Sequence, residues 1–129
     1  MNLHPRLKAD SIFLKDLELC HLLLINDSNY PWLALVPNRE NIREFHDLIP
    51  EEQVLLMLEI TQTSRILQNI FNPFKINVAA LGNVVPQLHV HVIGRFENDP
   101  AWPKPVWGVV PAKPYSEEEI AKIKGLLKC

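Results

Sequence analysis

Cysteine is nearly absent from this chain: Cys20 lies inside an apolar run and Cys129 is the last residue, so no disulfide framework staples the fold. No basic segment followed by an apolar one opens the sequence, and both observations point to the cytoplasm. Long hydrophobic runs are missing too. The stretches around 17–25 and 54–60 fall short of the roughly 20 residues that a bilayer crossing needs, so no membrane partner is expected. An excess of positive charge is also lacking. The formal net charge is -2 and the lysines and arginines are scattered, which argues against duplex DNA or RNA as a partner. Internal repeats and low-complexity runs are absent. What remains, 129 residues with 47% hydrophobic and 22% charged, is enough for one globular domain over 1–129 with a real core.

The elements follow from periodicity. After a lead-in holding Pro5 and an exposed His4, Ser11-Ile12-Phe13-Leu14 reads as a short strand. The run 17–25 begins as an alternation, becomes continuously apolar, and stops at Asn26-Asp27-Ser28-Asn29. Trp32-Leu33-Ala34-Leu35-Val36, closed by Pro37, makes an antiparallel pair with it, and the polar loop between them is a candidate ligand contact. A short helical or turn segment with an exposed His46 leads to Pro50-Glu51-Glu52, the start of a long helix that ends before Pro73. Val54, Met57, Leu58, Ile60, Leu67, Ile70 and Phe71 read as its apolar positions. Leu55 and Leu56 widen that stripe beyond what one sheet face needs, which suits either a fully buried helix or a covering partner.

The segment 75–81 reads as another strand, and Gly82-Asn83-Val84-Val85-Pro86 as the turn after it. Five Pro and Trp residues between Pro100 and Trp107 exclude helix and central strand there. Ser116 and Glu119 have the spacing of a capping box, so a final helix is predicted over about 117–127. The sum is an α+β domain with a mainly antiparallel sheet.

Chemistry concentrates in Gln87-Leu88-His89-Val90-His91-Val92-Ile93-Gly94-Arg95. The alternation predicts a half-buried strand with Gln87, His89 and His91 on one face, the two imidazoles roughly 7 Å apart along it. Gly94 and Pro86 are expected to leave room for a bulky substrate. A neutral imidazole is a good nucleophile toward phosphorus, and a second can bind a phosphate oxygen or move a proton. The same spacing suits a surface pair or two ligands of a metal site. A third ligand is harder to find, because His21 reads as a core histidine.

These residues resemble the histidine-triad (HIT) motif, His-φ-His-φ-His-φ-φ with φ apolar, which marks nucleotide hydrolases and transferases. The order of the other elements is similar across about 10–110. The resemblance implies a HIT-like fold and a homodimer joined through sheets and long helices. It also implies attack on the α-phosphate of a nucleoside 5'-phosphate derivative, either a dinucleoside polyphosphate or a nucleoside phosphoramidate. His89 then matches the nucleophile that forms a covalent nucleotidyl-histidine, and His91 a phosphate contact and proton relay. Asn26 and Asp27 match the ribose position, and Asn83 a phosphate-side contact. Trp102 and Trp107 fall in a segment that in relatives closes on the partner's site, and aromatic packing is the simpler expectation for both. No cofactor is required, though a divalent cation is compatible with a polyphosphate. The chain departs from the motif at Gln87, which cannot carry a proton at neutral pH. It also lacks a Ser or Thr just before the motif. A nucleotide-binding or interaction module with weak or lost turnover is therefore the alternative.

Overall fold

The protein is described by a computed structural model covering residues 3–129. Helix α1 (Pro5–Ala9) is followed by β1 (Ser11–Asp16), β2 (Cys20–Ile25), β3 (Trp32–Pro37), a 3-10 turn (Phe45–Asp47), α2 (Pro50–Phe71), β4 (Lys75–Ala79), β5 (Val90–Arg95) and α3 (Glu117–Leu126). The lead-in thus holds a short helix, with His4 Nδ1 accepting from the Arg6 amide at 3.1 Å. At the other end the capping box forms as predicted. Ser116 Oγ accepts from the Glu119 amide at 3.1 Å, and the Glu119 carboxylate from the Ser116 amide at 2.9 Å.

The strands form one antiparallel sheet in the order β1-β2-β3-β5-β4. Its two faces do different work. Leu22 and Leu24 of β2, Leu33 and Leu35 of β3, and Val90 and Val92 of β5 point to one side, where Leu56, Ile60 and Leu67 of α2 and Ile123 of α3 complete the core. The alternate residues Leu23, Ala34 and Val36 point to the other side with Leu7 and Val85. Both faces of β2 and β3 are covered, which is why these strands read as continuous apolar runs.

Helix α2 departs from the sequence reading of its apolar face. Its buried positions are Leu56, Glu59, Ile60, Thr63 and Leu67, while Val54, Met57 and Leu58 are exposed. Two polar residues within the stripe disguised its phase. Glu59 is tolerated there because its carboxylate accepts from the amides of Leu19 at 2.8 Å and Cys20 at 3.0 Å, ahead of and at the start of β2. Strand β4 ends at Ala79, two residues short of the expected end.

Gly94 has a structural explanation. A Cβ at this position would lie 2.8 Å from the Pro31 ring and 3.4 Å from Pro73, so the glycine admits two prolines and does not make room for a substrate.

Candidate active site

Strand β5 begins at Val90, three residues later than its alternation predicts. Its ladder with β3 runs only from Ile93 to Val90, and the chain before it is held instead by the Leu88 amide on the Ile42 carbonyl at 2.9 Å. Gln87 therefore leaves the common face. Its side-chain oxygen accepts from the His4 amide at 2.7 Å, and it lines a groove with Arg39, Asn41, Ile42 and Arg43. Toward the histidines it presents its backbone carbonyl, which lies 2.7 Å from His89 Nδ1.

His89 and His91 do come together, their ring centroids 4.9 Å apart and edge-to-face. Their surroundings determine their tautomers. A carbonyl only accepts, so neutral His89 carries its proton on Nδ1 and keeps a lone pair on Nε2. The reverse holds at His91. An indole only donates, and Trp32 Nε1 lies 2.8 Å from His91 Nδ1, so neutral His91 carries its proton on Nε2. Neither Nε2 is among the fully enclosed unpartnered atoms, which are His21 Nε2 and Tyr30 Oη among the described residues. Burial, reinforced by the neighbouring His89, pushes the His91 pKa down to about 4. His91 is thus a neutral N–H donor beside the lone pair of His89.

Space for the His91 ring comes from its strand neighbours. Ala34 of β3 and Ala79 of β4 pair directly with it on either side, and Trp32 reaches it on the diagonal. No sequence signal marked these alanines, since a small residue in an apolar strand has no distinct pattern.

Two cavities share Trp107, and only the first is lined by both histidines. One, of about 260 Å³, is lined by Asn83, Val84, Val85, His89, His91 and Trp107, together with Leu81 and Gly82. The other, of about 440 Å³, is lined by Asp10, Ile25, Asn26 and Asp27 together with Trp107, Val110, Ala112 and Pro114. Trp107 borders both, with its ring 5.2 Å from His91 and 5.7 Å from Trp32. It packs in its own chain's site. Trp102 lies elsewhere, against Phe74 at 5.4 Å and under the Arg95 guanidinium.

Asn26 and Asp27 are already employed. Asn26 Oδ1 accepts from the Tyr115 amide at 2.9 Å, and Asp27 Oδ1 from the Asn29 amide at 3.0 Å and the Lys113 amide at 3.2 Å, which pins segment 111–115 as a wall of the larger cavity. Asp27 Oδ2 makes no hydrogen bond among the described residues and is not fully enclosed.

Sequence reasoning also missed Arg95. It is 1% exposed, pairs with both oxygens of Asp99 at 2.8 and 3.1 Å, and donates to Asn77 and to the Lys104 carbonyl. Asp99 in turn accepts from the amides of Phe96, Ala101 and Trp102; against the raising effect of burial, the Arg95 guanidinium first and then the Phe96 and Ala101 amides hold its carboxyl below the usual range. This clasp anchors the Pro/Trp segment that carries Trp107.

His21 is a core histidine, bonded through Nδ1 to Asp16, and among the described residues no group of three or more His, Cys, Asp or Glu is gathered to hold a metal ion. No helix among the described residues is long and apolar enough to cross a membrane.

An antiparallel sheet with one long helix, offering an imidazole lone pair and an imidazole N–H at one cavity, defines an α+β protein of the histidine-site class. The chain belongs to the histidine-triad family: the HIT domain matches residues 6–98. A histidine triad protein from Bradyrhizobium japonicum is similar at 48% identity, with 98% of this chain and 95% of that one covered and a TM-score of 0.96. A histidine triad protein from Marinobacter aquaeolei matches at 48% identity, with 98% and 93% covered and a TM-score of 0.96. A Hit-like protein involved in cell-cycle regulation from Bartonella henselae, at 14% identity with 95% and 88% covered and a TM-score of 0.67, shares the fold alone. No curated protein matches the chain.

Proposed function

We propose that this protein is a nucleotide hydrolase or nucleotidyl transferase acting on the α-phosphate of a nucleoside 5'-phosphate derivative through a covalent nucleotidyl-His89. The observation that carries the reading is the hydrogen bond from His89 Nδ1–H to the Gln87 carbonyl. It holds the Nε2 lone pair outward and can stabilise the positive charge that the ring acquires when Nε2 bonds phosphorus. His91 Nε2–H is suited to a phosphate oxygen, and Asn83, on the same cavity, to another. The larger cavity suits the nucleoside, with Asp27 Oδ2 accepting from a ribose hydroxyl and Asn26 holding segment 111–115 through the Tyr115 amide. Gln87 acts through its main chain in this reading. A divalent cation would arrive with a polyphosphate substrate.

The working form in this proposal is a homodimer in the cytoplasm. Supporting it are the exposed Val54, Met57 and Leu58 of α2, together with Phe74 and Val78 beside or on the outermost strand β4. Free Cys20 and Cys129 accord with a reducing compartment. The test is direct: incubate with a nucleotide radiolabelled at the α-phosphorus, quench in alkali and map the label. Label on His89, with turnover abolished in a folded His89→Ala protein, is the expected result. Tight AMP or GMP binding without turnover of any derivative would favour the alternative suggested by Gln87, a catalytically silent binding module.

A further inference from the structure

The proposed chemistry leaves open which bond the site can break, and the proton inventory of the histidine cavity bears on it. Among the described residues its lining holds two titratable groups, His89 and His91. Leu81, Gly82, Asn83, Val84, Val85 and Trp107 make up the rest, and none of these can deliver a proton at neutral pH. Gln87, at the position where the motif has its first histidine, is an amide, and it lines the separate groove. Arg43 and Glu44 line a small cleft on another side of His89; the guanidinium does not deprotonate and Glu44 is exposed to solvent.

We propose that this site acts on substrates whose leaving group departs unaided as a stable oxyanion, such as a phosphate or a carboxylate mixed with the nucleoside phosphate as an anhydride, and discriminates against amine leaving groups. The inference rests on the nucleotidyl-His89 reading above and selects among its substrates.

Follow the electrons and protons. In the first step the Nε2 lone pair of His89 forms the N–P bond while the P–O bond to the leaving group breaks, its electron pair departing on that oxygen. The ring becomes an N-phosphorylated imidazolium whose Nδ1–H still donates to the Gln87 carbonyl. No proton has moved. In the second step a water oxygen bonds phosphorus, the N–P pair returns to Nε2, and the water's protons remain on the product phosphate or pass to solvent. Both steps balance without an acid.

With an amine leaving group the P–N pair would depart on nitrogen, which requires a proton on that nitrogen beforehand. His89 Nε2 is occupied in bonding phosphorus. His91 has its Nδ1 filled by the Trp32 N–H, so it offers only the N–H of a neutral imidazole, a hydrogen-bond donor and a very weak acid. Its burial between Trp32, Trp107 and His89 opposes the imidazolium form that could act as an acid.

The experiment uses the full chain, a series of aryl esters of AMP with phenols of graded acidity, an AMP-phosphate anhydride and an AMP alkylamidate. The first-turnover burst of leaving group is followed by rapid quench. The expected result is a burst rate that falls with rising leaving-group pKa as steeply as attack by free imidazole in water, with the alkylamidate slower than AMP-phosphate anhydrides by ~10²-fold or more, the scale of a missing general acid. A markedly shallower dependence, or an alkylamidate within about tenfold of the anhydride, would overturn the inference. Label mapping on the most activated ester separates the two levels. Label on His89 with a shallow slope defeats only the leaving-group inference, and unlabelled, folded protein defeats the nucleotidyl-histidine reading itself. As an independent readout, the 15N resonances of His91 should show Nε2–H with unprotonated Nδ1 at pH 7. An imidazolium signature there would also overturn it.

Discussion

Trp32 Nε1 donates to His91 Nδ1 across 2.8 Å, from the adjacent strand and one diagonal step away, and so determines what the second imidazole of the site can do. A buried aromatic residue at the start of β3 becomes a chemical constraint on a histidine 59 positions later in the chain.

The depressed pKa of His91 makes stability depend on pH. Above the ordinary histidine value of 6.5 the ring is neutral both folded and unfolded, and it adds no dependence. Between 6.5 and about 4 the unfolded chain takes up a proton that the folded one does not, so stability falls as pH falls. The full loss is about 3 kcal/mol from this residue. Urea unfolding from pH 8 to pH 4 should show it, and His91→Gln should flatten that part of the curve.

Gln87 and His89 should respond very differently to truncation. Because Gln87 serves His89 through its main-chain carbonyl, Gln87→Ala is expected to retain turnover within about tenfold, whereas His89→Ala removes it altogether. Parallel kinetics on the two variants decide this. A Gln87→Ala protein as inactive as His89→Ala would assign the work to the amide side chain instead.

Asp99→Ala leaves the guanidinium of Arg95 buried without its bidentate partner. Breaking such a pair from one side costs about 3–5 kcal/mol. Equilibrium denaturation should report that loss, and tryptophan fluorescence should shift as the segment carrying Trp107 loosens over His91.

The small residues beside His91 are predicted to be intolerant of growth. Ala34 is fully buried and pairs directly with His91, so Ala34→Leu should overpack the face, destabilise by about 1–3 kcal/mol and impair nucleotide binding more than Ala34→Gly. Thermal unfolding and calorimetric titration with AMP would check both halves.

Leu58→Asp places a charge on the exposed apolar face of α2. If that face is the dimer interface, sedimentation should show a monomer with retained secondary structure, while Leu56→Asp, in the core, should unfold the chain.

Much of the fold was legible because its signals are local. The polar loop at 26–29 stops β2, Pro50 and the acidic pair after it start α2, and Ser116 with Glu119 starts α3. Where local signals were ambiguous, tertiary partners decided. Glu59 and Thr63 interrupt the stripe of α2, and only the amides of Leu19 and Cys20 explain a carboxylate there. The alternation through Gln87 was real as a pattern but not as a strand, because the β3 ladder ends at Val90.

What the amino-acid sequence determined by itself was the element order from β1 onward, the family and the pair His89 and His91, since a residue's periodicity and its chemistry are properties of neighbours in the chain. What only the tertiary structure decided was the state of those residues. Tautomer, charge and access depend on groups brought in from distant positions: the Gln87 carbonyl turned back on His89, the Trp32 indole on His91, and Trp107 held over both cavities by Arg95 and Asp99. A hydrogen bond between strands acts across a few ångströms of space, and no spacing along the chain encodes it.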